Sequence, residues 1–240
     1  MTSRYLAIDL GAETGRVMLG TLESGRVSLK ELSRFSNEPL RDGDGIYWNI
    51  PALIEGVRNG LVKAGALGHP ITSVSADAWG VDYVLIDNKG GIMEPVFHYR
   101  HPRTIDGEKK ALVKVDWPTL FDESGVQYML LNTSIQLCSE VPDRLGMANT
   151  ILTIADAFNY ILSGVAKIEV SMASTTQLYN PRLNCWSDRL IKDLGLPRSM
   201  FPEVVSPATT LGPLKPDFSK CSGLNNINVV SSLSHDTACA

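Results

Sequence analysis

The opening of the chain constrains the fold most strongly, because residues 5–22 place one acid and a small polar turn between two apolar runs. This pattern predicts a β-hairpin, with Asp9 at the exit of the first strand and Arg16 at the entry of the second. Gly11 and Gly15 leave the connection free to adopt positive φ, so that its N–H groups can converge on an anion such as phosphate. An ordinary hairpin connection explains the same glycines, and this stretch alone does not separate the two interpretations.

The segments that follow the hairpin predict the class of fold. Residues 27–35 mix alternation with polar faces, which favours a third antiparallel strand. Asn49 is a suitable N-cap, and Pro51 is tolerated in the first turn of the helix that follows. Residues 71–77 then return as a strand. Three strands, a helix and a strand give an α/β fold with a mixed sheet and a crossover helix on one face.

The remaining two thirds of the chain read as helices and short strands. Residues 104–163 are mainly helical in pattern, with interruptions at Pro118 and Pro142. Residues 197–216 are rich in proline and predict an extended loop. We predict strands at 80–86, 92–99 and 228–234, and helices at 105–115, 134–145, 153–162 and 186–194.

Composition excludes several classes of partner. The 240 residues carry a net charge of −4, which gives no electrostatic reason to expect nucleic acid or an anionic membrane. The four cysteines are widely spaced and lack a zinc or redox pattern, as is typical of reduced thiols in a cytosolic protein. No run approaches the roughly 20 apolar residues that a membrane helix needs, and the first residues do not resemble a signal peptide. We expect a soluble, cytoplasmic protein with no nucleic-acid or membrane partner.

Two further stretches concentrate polar chemistry. Residues 77–82 hold Asp77, Trp79 and Asp82, a combination that suits a polyhydroxylated ligand such as a sugar. Carboxylates accept hydrogen bonds from its hydroxyls, and an aromatic face packs on its C–H surface. A buried tryptophan at a strand junction explains the same residues equally well.

The second stretch is the end of the chain, where Asp236 follows an apolar strand and precedes the start of a helix. Such corners present reactive groups in α/β sheets. A simple helix N-cap at Asp236 or Thr237 is the alternative that these residues favour when taken alone. Arg100 and Arg103 lie between the two stretches in the sequence, and solvation is the simpler interpretation of both.

Four motifs together resemble a known family. Residues 7–19 resemble the first phosphate motif of sugar kinases in the actin/Hsp70-like ATPase superfamily, the group called the FGGY carbohydrate kinases. Residues 76–85, 173–178 and 234–238 resemble the rhamnulokinase pattern within that group. The resemblance is collinear over nearly the whole chain. It implies an RNase-H-like α/β fold, a mixed sheet with flanking helices.

The resemblance also implies an activity, the phosphorylation of L-rhamnulose at its 1-hydroxyl with ATP and Mg²⁺. It implies that Asp236 is the catalytic base and that Asp9 faces the metal, acting through water. The candidate sugar-binding residues are Trp79, Gly80, Asp82, His235 and Thr237. The residues that the resemblance places at the ATP phosphates are Ala12, Glu13, Thr14, Gly15 and Arg16.

Two features depart from the family pattern. His101 stands where many members have an acid. The family's kinases are also longer, with a second domain that holds adenosine. We therefore expect residues 1–240 to form the N-terminal sugar-binding domain, with little activity unless a C-terminal nucleotide-binding domain is its partner. The alternatives are a kinase for xylulose, fuculose or glycerol, and a non-catalytic actin/Hsp70-like nucleotide-binding module.

Overall fold

The computed structural model describes residues 2–239, which begin with five consecutive strands and alternate between strands and helices mainly after residue 148. The strands are β1 (Thr2–Leu10), β2 (Thr14–Glu23), β3 (Arg26–Ser36), β4 (Leu40–Asp42), β5 (Gly45–Trp48), β6 (Ser73–Ala78), β7 (Tyr83–Asp87), β8 (Val96–Phe97), β9 (Ala148–Thr153), β10 (Ile168–Glu169), β11 (Tyr179–Asn180), β12 (Cys185–Trp186), β13 (Val204–Val205), β14 (Thr209–Pro213) and β15 (Asn228–Ser231). The α-helices are α1 (Ile50–Gly65), α2 (Thr104–Lys114), α3 (Trp117–Ser124), α4 (Thr133–Cys138), α5 (Pro142–Met147), α6 (Ile154–Ser163), α7 (Val170–Thr175), α8 (Asp188–Asp193), α9 (Pro216–Ser222) and α10 (Asp236–Cys239).

A six-stranded mixed sheet in the order β14-β15-β6-β1-β2-β3 forms the centre of the fold. The predicted hairpin is confirmed, since β1 and β2 are antiparallel with Asp9 opposite Arg16. The third antiparallel strand, β3, pairs with β2 and lies at one end of the strand order. Strand β6 pairs in parallel with β1, which places Asp77 beside Asp9. The prediction of three strands, a crossover helix and a parallel strand is therefore confirmed.

Helix α1 makes this crossover because its two ends and its apolar face are specified locally. The Asn49 side chain accepts a hydrogen bond from the Ala52 N–H at 3.2 Å, as the predicted N-cap requires. Leu53, Val57 and Leu61 recur at helical spacing and are all buried. The helix packs on β2 and β3 and also contacts α9. Polar capping and apolar burial thus fix the helix by two separate mechanisms.

Two predictions in the helical region are wrong in detail. Residues 134–145 form two helices, α4 and α5, because Pro142 has no N–H to donate and takes the first position of a new helix instead. Strand β9 lies in a region predicted as helical and pairs antiparallel with β7. Its apolar residues Ile151 and Leu152 form part of the buried core, so their burial at a strand position outweighs the helical pattern around them.

The proline-rich segment is also more regular than predicted. Residues 197–216 contain β13, β14 and a short 3-10 helix, Arg198–Met200. Strand β14 is the edge strand beyond β15, where proline is tolerated because its missing N–H does not break the interior of the sheet. Within the predicted strand at 92–99, pairing is limited to β8, which pairs with β5, and to an isolated bridge between Ile92 and Ile86.

Other sequence-based expectations concern cysteines and membrane helices. Cys138, Cys185, Cys221 and Cys239 are free thiols, and only Cys138 is buried. Among residues 2–239, no helix combines the length and the apolar character needed to cross a bilayer.

A test of this packing uses Gly65, where α1 meets α9. A Cβ atom on Gly65 would lie 1.7 Å from the backbone oxygen of Ser222, so Gly65→Ala should force the helices apart. We expect a loss of about 1–3 kcal/mol in the free energy of unfolding, measured by urea denaturation. Gly146→Ala in α5 is the matched control, because a Cβ there meets no neighbouring atom. It should be neutral or slightly stabilising, and equal effects of the two substitutions would contradict the packing described.

Candidate active site

The connection between β1 and β2, residues 11–13, forms an N–H cradle, a loop in which two main-chain N–H groups have no acceptor within residues 2–239. Neither Gly11 nor Gly15 has positive φ, so the expected use of glycine for left-handed turns is wrong. The glycines are needed for close packing instead. A Cβ on Gly15 would lie 2.2 Å from the Phe35 ring, and one on Gly11 would lie 3.1 Å from the Thr14 carbonyl oxygen. The two glycines are therefore explained by close contacts, with a side chain at Gly15 and with the main chain at Gly11, rather than by turn type.

Asn37 holds this connection in place and was not identified from the sequence. Its N–H donates to the Glu13 carbonyl at 2.9 Å, and its Nδ2 donates to the Gly11 carbonyl at 2.9 Å. Within residues 2–239, the N–H groups of Ala12 and Glu13 have no protein acceptor. Two adjacent free N–H groups on a pinned loop suit an oxyanion. In the sequence, Asn37 stands out only as a polar residue immediately after the third strand.

Acidic side chains gather where β1 and β6 end. Asp9 is paired with the Arg16 guanidinium across the hairpin. Asp77, its neighbour on β6, has a pKa raised from 3.8 to about 7, chiefly because it is buried. The negative charges of Asp9 and Asp236 contribute to the rise, and Arg16 opposes it. Asp77 was seen as part of a polar stretch but was not selected as a site residue, because its neighbours come from distant parts of the chain.

The turn after β15 brings Asp236 to the same edge. The Ala78 N–H at the end of β6 donates to the Ser234 carbonyl at 2.9 Å, and Ala78 and His235 form a parallel bridge. The His235 Nε2 atom lies 3.5 Å from Asp236 Oδ1, and the Thr237 N–H donates to the same oxygen at 2.6 Å. Pairing with β6 therefore extends into the turn and fixes the backbone just before Asp236.

The alternative assignment of Asp236 as a simple N-cap does not match this geometry. Asp236 is itself the first residue of α10, and its carboxylate bonds the N–H of the next residue, Thr237. The N–H groups of Ala238 and Cys239 donate to the His235 carbonyl instead. A capping side chain bonds an N–H two or three residues further along. The Asp236 side chain is thus left available to the cavity beside it.

A cavity of about 530 Å³ lies between this turn and residues 79–81. Its size suits a small ligand. Six of the predicted site residues line it: Ala12, Trp79, Gly80, His235, Asp236 and Thr237. The remaining lining residues, none of them selected from the sequence as site residues, are Val81, Tyr99, Arg100, Val126, Met129, Leu131, Asn132 and Thr175. Half of these come from the segment 126–132, which has no recognisable motif.

Asp82 lies outside the cavity and supports its wall. It is fully buried, and its Oδ2 atom accepts hydrogen bonds from the indole N–H groups of Trp48 at 2.6 Å and Trp79 at 3.0 Å. Its Oδ1 atom accepts from Gln136 Nε2 at 3.0 Å. Burial raises the pKa of Asp82 to about 6, while these three hydrogen bonds lower it. The geometry favours a supporting role for Asp82, which orients Trp79, over the predicted direct contact with a sugar.

Residues 79–82 form a turn, so β7 begins at Tyr83 rather than at the predicted residue 80. Val81 has a φ of 68°, which is unusual for a β-branched residue. Its carbonyl accepts from Thr133 Oγ1 at 2.6 Å and from Gln136 Nε2 at 3.2 Å. These bonds hold a strained residue at the wall of the cavity. Strain of this kind at a non-glycine position has no signature in the sequence.

The other predicted residues lie beside the cavity or away from it. Thr14, Gly15 and Arg16 continue the hairpin into β2, whereas Glu13 lines a second cavity of about 450 Å³ with Arg41 and Arg100. That second cavity shares Ala12, Tyr99 and Arg100 with the first. The structure thus brings every sugar candidate except Asp82 to one cavity, whereas Ala12 is the one phosphate candidate that lines it.

The two arginines near residue 100 differ from each other. Arg100 is exposed, as the expectation of solvation requires, although it also lines both cavities, with its guanidinium 5.2 Å from the Tyr99 ring centroid. Arg103 departs from that expectation, because only 11% of its side chain is exposed and its Nη1 atom lies 2.9 Å from Glu140 Oε1. His101 packs edge-on against Tyr47 and is not among the residues that line the 530 Å³ cavity.

The acidic edge predicts a pH dependence of stability. Because the folded-state pKa of Asp77 lies above its ordinary value of 3.8, folding is favoured at low pH, and that contribution is lost as the pH rises toward 7. Asp77→Asn has no proton to lose. At pH 8 we expect this variant to be more stable than the wild type by about 2 kcal/mol, allowing for partial solvation of the carboxyl. In urea unfolding the difference should shrink as the pH falls and should nearly vanish only at about pH 3, below the ordinary pKa of 3.8. A difference that does not change with pH would contradict this account.

Comparisons with known proteins agree with the geometry. The model of the FGGY family of carbohydrate kinases, N-terminal domain, matches residues 4–240. A rhamnulokinase of Ligilactobacillus salivarius is 35% identical over 98% of this chain and 49% of its own length. A rhamnulokinase of Bacteroides thetaiotaomicron is 32% identical over 100% of this chain and 50% of its own length. The chain therefore spans about half the length of the curated relatives it matches.

Solved structures show the same fold at lower identity. A ligand-bound xylulose kinase from Lactobacillus acidophilus superimposes with a TM-score of 0.84 at 12% identity, over 98% of this chain and 48% of that one. A glycerol kinase from Plasmodium falciparum with ADP gives a TM-score of 0.81 at 14% identity, over 98% and 49%. The match of the family model over almost every residue, together with the identity to these relatives, places the chain in the FGGY family of carbohydrate kinases, as its N-terminal domain.

Proposed function

We propose that this chain is the sugar-binding half of a kinase that transfers the γ-phosphoryl group of ATP to the 1-hydroxyl of L-rhamnulose. The observation that carries the proposal is the cavity in which Gly80 and Asp236 face a common space, with the N–H cradle of the hairpin at its rim. The identity to proteins named rhamnulokinase supports this choice of sugar over other ketoses.

The lining of the cavity suits a small, partly apolar sugar. The indole of Trp79 offers a flat surface to C–H groups. Asn132, His235 and Thr237 offer hydrogen-bonding groups to hydroxyls. A deoxy sugar has a methyl group as well as hydroxyls, and the apolar residues Met129 and Leu131 give the cavity an apolar side. The combination favours a deoxyketose, because both kinds of surface find a partner.

Asp236 acts as the base in this proposal. Its carboxylate accepts the proton of the 1-hydroxyl late in the reaction and orients the oxygen before that. Phosphoryl transfer has a loose transition state, so correct placement of the attacking oxygen contributes more than strong basicity. The free N–H groups of Ala12 and Glu13 and the cation of Arg16 bind and orient phosphate oxygens on the opposite side.

The residues present also fit a hydrated Mg²⁺. Within residues 2–239, no three acidic, histidine or cysteine side chains converge closely enough to hold a metal alone. Mg²⁺ keeps several of its waters and commonly binds through one or two carboxylates and substrate phosphates. The carboxylate of Asp9 suits such water-mediated binding. When bound, ATP would supply the phosphoryl group and Mg²⁺ would neutralise the charge that develops on it.

A second, C-terminal half completes the enzyme in this proposal. The curated relatives are about twice the length that this chain covers, and the described cavity lies at the end of β6 in the central sheet. An opposing domain would hold the nucleotide and exclude water from the site. We therefore expect the chain to bind sugar alone and to transfer phosphate only when joined to that half.

The test is an ATP-dependent phosphorylation assay of the full-length enzyme with L-rhamnulose, xylulose, fuculose and glycerol. L-Rhamnulose should give the highest kcat/KM. Preference for another of these substrates would assign the enzyme to that sugar, and turnover of none of them would favour a non-catalytic nucleotide-binding module.

The same assay tests the role of Asp236. Asp236→Asn should lower kcat by about 10²–10⁴-fold, because the base is lost while its shape remains. Sugar affinity, measured by calorimetry, should change little. Asp217→Asn on the surface of α9 is the control for removing one negative charge, and it should leave kcat unchanged. Near-normal turnover by Asp236→Asn would exclude this residue as the base.

A further inference from the structure

The motif at residues 173–178 has no part in the proposed chemistry, yet the helix in which it begins, α7, lies between the two turns that form the cavity. We propose that Glu169 and Ser171, at the start of α7, are positioning residues that hold the Ser234–His235 turn and thereby place Asp236 against the sugar hydroxyl. This inference rests on the proposed function, and it adds two residues that touch neither sugar nor phosphate.

Glu169 is the buried centre of this arrangement. It is 0% exposed, and its Oε2 atom accepts from the Ser171 N–H at 3.0 Å, from the Ser171 hydroxyl and from the Ser234 N–H at 3.2 Å. The Glu169 N–H donates to Asp156 Oδ1 at 3.1 Å, which fixes the backbone at the start of the helix. A buried carboxylate with three donors is held in a single orientation.

Ser171 binds the second residue of the Ser234–His235 turn. Its hydroxyl donates to Glu169 and accepts from the His235 N–H at 3.1 Å. The main-chain N–H groups of two consecutive residues, Ser234 and His235, are therefore bound by one carboxylate and one hydroxyl. Asp236 follows directly, so its Cα position depends on both bonds.

The other end of α7 reaches the opposite wall of the cavity. Thr175 Oγ1 accepts from the Val81 N–H at 3.2 Å and donates to the Met172 carbonyl at 2.9 Å. A Cβ on Gly80 would lie 3.0 Å from Thr175 Cγ2 and 3.1 Å from His235 Nε2, so the two walls nearly touch at this glycine. One short helix thus sets the separation between the Gly80 wall and the base.

A positioning role differs from a purely structural one because the turn has a second anchor. The Ala78 N–H donates to the Ser234 carbonyl, and β15 pairs with β6 without any contribution from α7. Loss of the Ser171 hydroxyl therefore leaves the strand paired, frees the His235 N–H and removes one of the three donors to Glu169. The expected effect falls on the placement of Asp236 rather than on the stability of the sheet.

The test compares Ser171→Ala with Ser171→Thr and Ser174→Ala in the full-length enzyme. Ser171→Ala should lower kcat by about 10-fold or more, because a small misplacement of a reacting group is costly. KM for L-rhamnulose should stay within about threefold, since the sugar contacts remain. Ser171→Thr keeps the hydroxyl and should recover most of the activity. Ser174→Ala, on the exposed side of the same helix, should have no effect.

Amide hydrogen exchange on the isolated chain gives an independent readout. Exchange of the His235 amide should become about 10-fold faster in Ser171→Ala, because its hydrogen bond is lost, while amides in β1 and β6 keep their protection. The proposal is overturned if Ser171→Ala retains kcat within twofold and the His235 amide exchanges at the wild-type rate. It is also overturned if β1 and β6 lose protection to the same extent. If the wild-type enzyme phosphorylates no ketose, the proposed function fails, and the exchange comparison still decides whether Ser171 holds the turn.

Discussion

The parallel pairing of β6 with both β1 and β15 is the interaction on which the rest of the site depends. It places the ends of three strands at one edge of the sheet, where Asp9, Asp77 and the turn that leads to Asp236 meet. Ligands of open α/β sheets bind beyond the carboxyl ends of such strands. A one-residue shift in either pairing would turn one of these carboxylates to the other face of the sheet. Register, rather than any single contact, therefore decides whether the site exists.

The cost of this arrangement is visible in its electrostatics. Three carboxylates share one edge, and Arg16 is the cation paired with Asp9 there. Burial, with a further contribution from the charges of Asp9 and Asp236, raises the pKa of Asp77. Perturbed carboxylates of this kind concentrate at functional sites. Strain at Val81 lies on the opposite wall of the same cavity, so both walls contain features that stability alone does not require.

The sequence predicts those parts of the fold that are specified locally. The hairpin, the capped helix α1 and the strand that follows it are fixed by alternation, by Asn49 and by apolar spacing, all of which act within a few residues. The position of Asp236 at the start of a helix is likewise a local pattern. These are the features for which the sequence-based expectations and the structure agree.

The features that the sequence does not predict depend on partners far apart in the chain. Asp82 lies behind the cavity wall because Trp48 and Gln136 reach it from other segments. Arg103 is buried because Glu140 neutralises it. Asn37 and Glu169 act through main-chain groups of distant loops, and no pattern of neighbouring residues indicates such contacts. Tertiary pairing of polar groups was therefore the main information missing from the sequence.

The cavity between residues 79–81 and the Asp236 turn is where we propose that the sugar binds. An NMR titration of the chain with L-rhamnulose tests it directly, because backbone amide shifts report contact residue by residue. We predict saturable shifts at the amides of Gly80, Val81, His235 and Thr237, with little change in the strands remote from the cavity. Shifts confined to residues 36–41, which line the second cavity, or no shifts at all, would contradict this account.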